Sequence, residues 1–165
     1  MLETARGYIF QPGISVVREA LLAVEKTSVH AMHDPTEGGL TTALYEMAEA
    51  SDVGMRLEEA AVAVLPATRA VCQAAGLDPL GLLASGALLI ALPPQDSDRL
   101  LAALEEAGIA AGRIGTVTPK DAGVIMKKPE GPTMALSTFA RDEVARFLAQ
   151  EGQEDEAPGD PEEAL

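Results

Sequence analysis

The run Val29-His30-Ala31-Met32-His33-Asp34-Pro35-Thr36-Glu37-Gly38-Gly39-Leu40 sets a histidine, an aspartate, a threonine and two adjacent glycines between an apolar segment and a helical pattern. It reads as a strand, a binding loop and a helix N-terminus in succession. The first N–H groups of a helix lack intrahelical partners and carry the positive end of its dipole, so such a junction suits phosphate or carboxylate oxygens. Gly38 and Gly39 would let a ligand approach that backbone closely, or else allow tight packing on a neighbouring chain segment. Asp34 and Thr36 would cap the helix, or bind substrate or a phosphate-held metal. A neutral His33 imidazole offers one donor and one acceptor to substrate or phosphate; its alternative role is a hydrogen bond that shapes the loop. His30, three residues earlier on an extended segment, points to the opposite face, so a His-x-x-His metal pair is geometrically poor and no metal site is assigned.

A second candidate loop follows the turn Leu77-Asp78-Pro79-Leu80. Ser85 and Gly86 form a small-residue kink that faces the first loop across the sheet, or a β-bulge at the start of a strand. The apolar residues up to Leu92 behind it predict a strand in the centre of the sheet. Lys127 and Lys128, beside Pro129-Glu130-Gly131-Pro132, read as a solvated charged pair.

The elements that hold these loops are legible from periodicity. Ile14–Val24, Leu40–Ala50, a segment from Pro66 to near Gly76, a segment after Pro93-Pro94 ending at Gly108, and Phe139–Ala149 carry helical spacing and helix punctuation. Val53–Leu57, Arg113–Val117 and Gly123–Met126 alternate as strands. Helices and strands do not alternate strictly, so the expected class is α+β, with helices packed on a mixed or antiparallel sheet. Residues 1–150 form one domain; 151–165, with seven acidic residues and no basic one, read as an acidic disordered tail.

Composition narrows the function. A formal charge of -14, with 26 acidic against 12 basic residues, disfavours nucleic acid and anionic membrane surfaces. There is no Trp, so base-stacking platforms are not expected. No apolar run approaches the roughly 20 residues needed to span a bilayer. Cys72 is the only cysteine, which excludes an intrachain disulfide and fits a reduced, cytoplasmic setting.

With His33-Asp34-Pro35-Thr36-Glu37-Gly38-Gly39-Leu40 come, in order, Pro12-Gly13-Ile14-Ser15-Val16-Val17, Gly76-Leu77-Asp78-Pro79-Leu80, Ser85-Gly86 and Ile114-Gly115-Thr116-Val117. This set resembles the C-terminal domain of the aminoimidazole ribonucleotide (AIR) synthase-related superfamily, nearest to its hydrogenase expression/formation protein branch. The resemblance spans about residues 10 to 147. It implies a two-domain protein that dimerises through its N-terminal domains, uses ATP and magnesium, and activates an amide-like oxygen by phosphorylation. The nucleotide site of the family lies largely on the N-terminal domain, which this chain does not include ahead of Pro12. The chain alone is therefore not expected to turn over ATP; it needs that domain in cis or in trans. Branch members typically carry Asn-Glu-Gly where this chain has Ala84-Ser85-Gly86, and a serine does not replace a carboxylate as general base without an activating partner. A binding or interaction module that retains the fold is the other reading.

Overall fold

The computed structural model describes residues 2–154. The chain begins with α1 (Leu2–Gly7) and a single π-type turn (Ile9–Gly13), then α2 (Val17–Lys26), β1 (Ala31–His33), α3 (Gly39–Ser51) and β2 (Gly54–Glu58). It continues through α4 (Pro66–Ala75), β3 (Leu89–Ala91), α5 (Ser97–Glu106), β4 (Gly115–Thr118), β5 (Val124–Lys127), β6 (Thr133–Ala135) and α6 (Glu143–Glu154). The last helix thus runs to Glu154, and the rest of the acidic stretch, 155–165, lies outside the described residues.

The α+β class holds. Four strands form one mixed sheet in the order β4-β2-β5-β6, in which β2 is antiparallel to β4 and parallel to β5, and β5 is antiparallel to β6. The alternation in β2 and β5 turns Met55, Leu57, Val124 and Met126 to one face, where Leu44, Met47 and Ala48 of α3 cover them together with Leu136. Tyr45 extends that seam by donating its hydroxyl to the Leu136 carbonyl at 2.8 Å. A smaller core lies between α2 and α5, where Ala23 is fully buried with Leu100 and Leu104, flanked by Ile90 and Leu92. Asp96 fastens this second unit: it accepts from the Ser28 N–H at 3.1 Å and from Arg99 at 2.6 Å. Helix α3 touches β1, β2 and β5, so it bridges the two parts.

Two expectations change. The apolar run before Leu92 is not a central strand: only Leu89–Ala91 is extended, and it pairs with β1 in a separate two-stranded antiparallel ladder. Gly86, at φ +93°, sits in a turn closed by the Ala87 N–H on the Ala84 carbonyl, and this turn breaks the run before it can cross the sheet. The turn after Pro119 joins β4 to β5, and β2 lies between these two strands in the sheet. Helix α2 starts three residues later than its apolar pattern, since Ile14 is held at φ -108°, ψ 0°. Strand β6, exposed along its whole length, carries no apolar alternation that would mark it.

Leu57 is 2% exposed at the centre of the main core. Leu57→Ala is expected to destabilise the fold by about 2–5 kcal/mol through lost burial and a residual cavity, read as a lowered urea midpoint at unchanged m-value.

Candidate functional site

His33 closes β1 opposite Leu89, and its Nε2 lies 2.6 Å from Oε2 of Glu46 on α3. This pair clips the strand end to the helix. In the neutral ring, donation from Nε2 to the carboxylate leaves Nδ1 as an acceptor, and Asp34 on that side has Oδ1 3.9 Å away. The ring is about one quarter exposed, at 27%, so Nδ1 can be reached from solvent or by a ligand. His30 uses its backbone N–H on the Ala91 carbonyl and its side chain is exposed, in keeping with a structural place.

The diglycine junction is filled from within. Gly38 is the N-cap residue of α3 in the left-handed region, φ +74°, and no side chain caps the helix. The capping role considered for Asp34 and Thr36 is therefore not taken up: both side chains are exposed, and Thr36 supplies its backbone carbonyl to the Gly39 N–H at 3.1 Å. The Gly38 N–H donates to Oδ2 of Asp142 at 2.9 Å, and the Thr41 N–H donates to the Leu80 carbonyl at 3.1 Å. Gly38 and Gly39 are both buried. A Cβ on Gly39 would collide with the carbonyl oxygens of Leu80 and Leu82, and its φ is +61°. Gly39 thus serves close packing of α3 on the 80–82 backbone, while a Cβ on Gly38 would meet the Thr42 side chain one turn further along α3, and the open amide cradle expected from the sequence is not formed.

Residues that the sequence reading missed do the filling. Asp142 also accepts from the Val144 N–H at 2.8 Å through Oδ1, which makes it the N-cap of α6 while its other oxygen serves α3. One carboxylate thereby answers two helix N-termini. Arg146 donates to the Gly76 carbonyl at 2.8 Å and pairs with buried Glu143, whose own N–H reaches the Gly81 carbonyl at 3.2 Å. The ring of Phe139 lies where a Cβ on Gly81 would go. An aspartate directly before a helical run is a recognisable N-cap signal, and an α6 start at Asp142 rather than Phe139 was readable from it. Its second bond, 104 residues away in sequence, was not.

Ser85 and Gly86 are exposed in the turn before β3, and a Cβ on Gly86 would meet Gly13 and Ile14. Among the described residues no hydrogen bond joins this turn to the His33–Gly39 loop. Two surface concavities of about 300 and 360 Å³ are lined by residues such as Phe139 and Arg146 in one case and Tyr8 and Pro66 in the other; none of His33–Gly39 lines either. Cys72 is buried, and that burial, followed by the charges of Asp78 and Glu143, pushes its thiol above the usual range, so it is a poor nucleophile.

Residues 13–128 match the family model described as AIR synthase related protein, C-terminal domain. The chain belongs to this family. Carbamoyl dehydratase HypE of Cupriavidus necator is 46% identical over 91 residues, covering 54% of this chain and 26% of that protein. The crystal structure of E. coli HypE, a hydrogenase maturation protein, superposes with a TM-score of 0.71 at 30% identity, covering 80% of this chain and 42% of that one. A HypE structure in complex with ATP gives a TM-score of 0.66 at 35% identity, covering 73% of this chain and 39% of that one. The chain thus spans between a quarter and a half of the length of these relatives.

The residues of this chain do not by themselves fit magnesium-ATP. The first-turn amides of Gly38, Gly39 and Thr41 already have acceptors, and among the described residues no group of three or more His, Cys, Asp or Glu is placed to hold a metal ion. Among those residues, too, no helix is long and apolar enough to cross a membrane.

Gly39→Ala is expected to cost several times more than Gly76→Ala. Both glycines have positive φ, which costs a non-glycine residue about 1 kcal/mol or more, but only Gly39 adds a collision with backbone that cannot yield. Thermal unfolding of the two variants side by side measures the difference. Asp142→Ala removes the acceptor of two helix-terminal amides and should lower stability by about 1–3 kcal/mol in the same assay.

Proposed function

We propose that this chain is the C-terminal, substrate-side half of an ATP-dependent protein of the hydrogenase-maturation type, active only with an N-terminal half that binds ATP and magnesium. The observation that carries this reading is the family match over residues 13–128, which includes the whole His33–Gly39 junction. Its HypE relatives, one of them solved with ATP, support that chemistry. The geometry adds a role for His33. Glu46 holds the ring by Nε2, so Nδ1 is presented as the acceptor at the edge of the junction, where it would take or hold a proton or hydrogen-bond a substrate. Asp34 and Thr36, both exposed beside it, would contact the same substrate, with Gly38, Gly39, Ser85 and Gly86 shaping the backbone around it. In its full form the protein would be a homodimer joined through the N-terminal halves.

A second reading is a binding module that keeps the fold without the chemistry. Two points favour it: the amides of Gly38, Gly39 and Thr41 are satisfied by the chain itself, and, by the resemblance, Ser85 stands where the branch typically has a glutamate.

Calorimetry with the full chain and an N-terminal half of a HypE relative separates the two. The enzyme reading expects magnesium-dependent ATP binding and ATP turnover by the pair, with His33→Ala lowering turnover about 100-fold while the unfolding temperature changes little. If the pair assembles yet neither binds nor consumes ATP, the module reading holds.

A further inference from the structure

The strongest unassigned feature lies at the other end of the chain, on α2 and the segment that leads into it. Large apolar side chains crowd solvent there: Ile9, Phe10, Ile14, Val17, Leu21 and Val24 are all more than half exposed, with Phe10 at 86% and Leu21 at 63%. Val17, Leu21 and Val24 recur at intervals of four and three, which sets them in one row on the helix. The row is not the face that seats α2 in its own domain, because that seat is made by Ala23, at 0% exposure, against Leu100 and Leu104. Helix α2 therefore has two apolar faces, and the domain covers one. Protein surfaces rarely leave such a run of large apolar side chains in water unless something docks there.

The length of the relatives bears on what covers it. The matched family model describes a C-terminal domain and begins at Gly13, and the relatives are about two to four times as long as the part this chain matches. The uncovered side chains, residues 9–24, straddle the point where the family domain starts, and so where a preceding half of such a protein joins it. We infer that the Phe10–Val24 face is the docking surface for the N-terminal half, with Leu21 near the centre of the contact. This rests on the function proposed above and names the surface through which the two halves meet. The face is apolar and its charges are mixed, Arg18 and Lys26 against Glu25, so the contact is held by burial rather than by charge pairing.

Thiol labelling of the full chain tests it. Leu21→Cys puts a reactive thiol on the face and Val117→Cys puts one on the exposed β4 strand, while buried native Cys72 labels slowly in both. Each variant is treated with a maleimide alone, with the N-terminal half of the Cupriavidus necator relative added, and with that half fused ahead of Met1, which raises its effective concentration. The expected result is a fall of about tenfold or more in labelling of the Leu21→Cys variant in the assembled forms, at unchanged labelling of the Val117→Cys variant, as for a residue in a water-excluded interface centre. Magnesium-ATP binding is measured on the same samples. ATP binding with the Leu21→Cys thiol still fully reactive overturns the docking surface and leaves the proposed function standing. Protection of that thiol without ATP binding supports the surface and counts against the ATP-dependent function. Protection in the Leu21→Cys chain alone, with a dimer mass in sedimentation, overturns the inference in favour of a second copy. No assembly and no protection, even in the fusion, overturns the inference and the function reading together.

Discussion

The seating of α3 on the 80–82 backbone is the contact from which the rest of the domain follows. Where Gly39 meets the carbonyls of Leu80 and Leu82 there is no room for a Cβ, and the Thr41 N–H binds the Leu80 carbonyl directly. A helix held this closely to backbone has its axis and rotation set at one end. Its buried row, Leu44, Met47 and Ala48, then lies over the mixed sheet, and Glu46 comes within reach of His33 on the separate ladder. Displacing α3 by the length of one methyl group would disturb both arrangements, because a close-packed core does not deform smoothly.

The same seat decides the electrostatics of the junction. A helix N-terminus with two glycines invites an anion, and here the anion is Asp142 of the chain itself. Its two oxygens serve α3 and α6, so a polar contact joins the C-terminal helix to the centre of the fold. Glu143 and Arg146 repeat the theme on Gly81 and Gly76. The junction is thus a finished structural joint, and the chemical interest shifts to its rim, where the His33 ring is fixed by one nitrogen and open at the other.

Helix α2 carries the opposite lesson. It has a small, sealed seat on α5 and a bare apolar row on its other side, the row proposed above as a docking surface. Burying large aliphatic side chains is worth about 1.5–3 kcal/mol each, so covering this row would be favourable without any specific charge pairing.

Local pattern was enough for the type and rough span of every long helix and of β2, β4 and β5, because amphipathic periodicity and Pro or Gly punctuation act within a few residues. It was also enough for the family, whose motifs are short and ordered along the chain. It misjudged the run ending at Leu92, since apolar content alone does not say which sheet a strand joins, and a single turn at Ser85-Gly86 removed most of its length. The junction shows the division most sharply. That Gly38 and Gly39 had to lie close to something was written in their lack of side chains. That the something is Leu80, Leu82 and Asp142, the last of them 104 residues further on, was settled only when the chain folded, because contacts across such separations depend on how whole elements pack and leave no periodic trace.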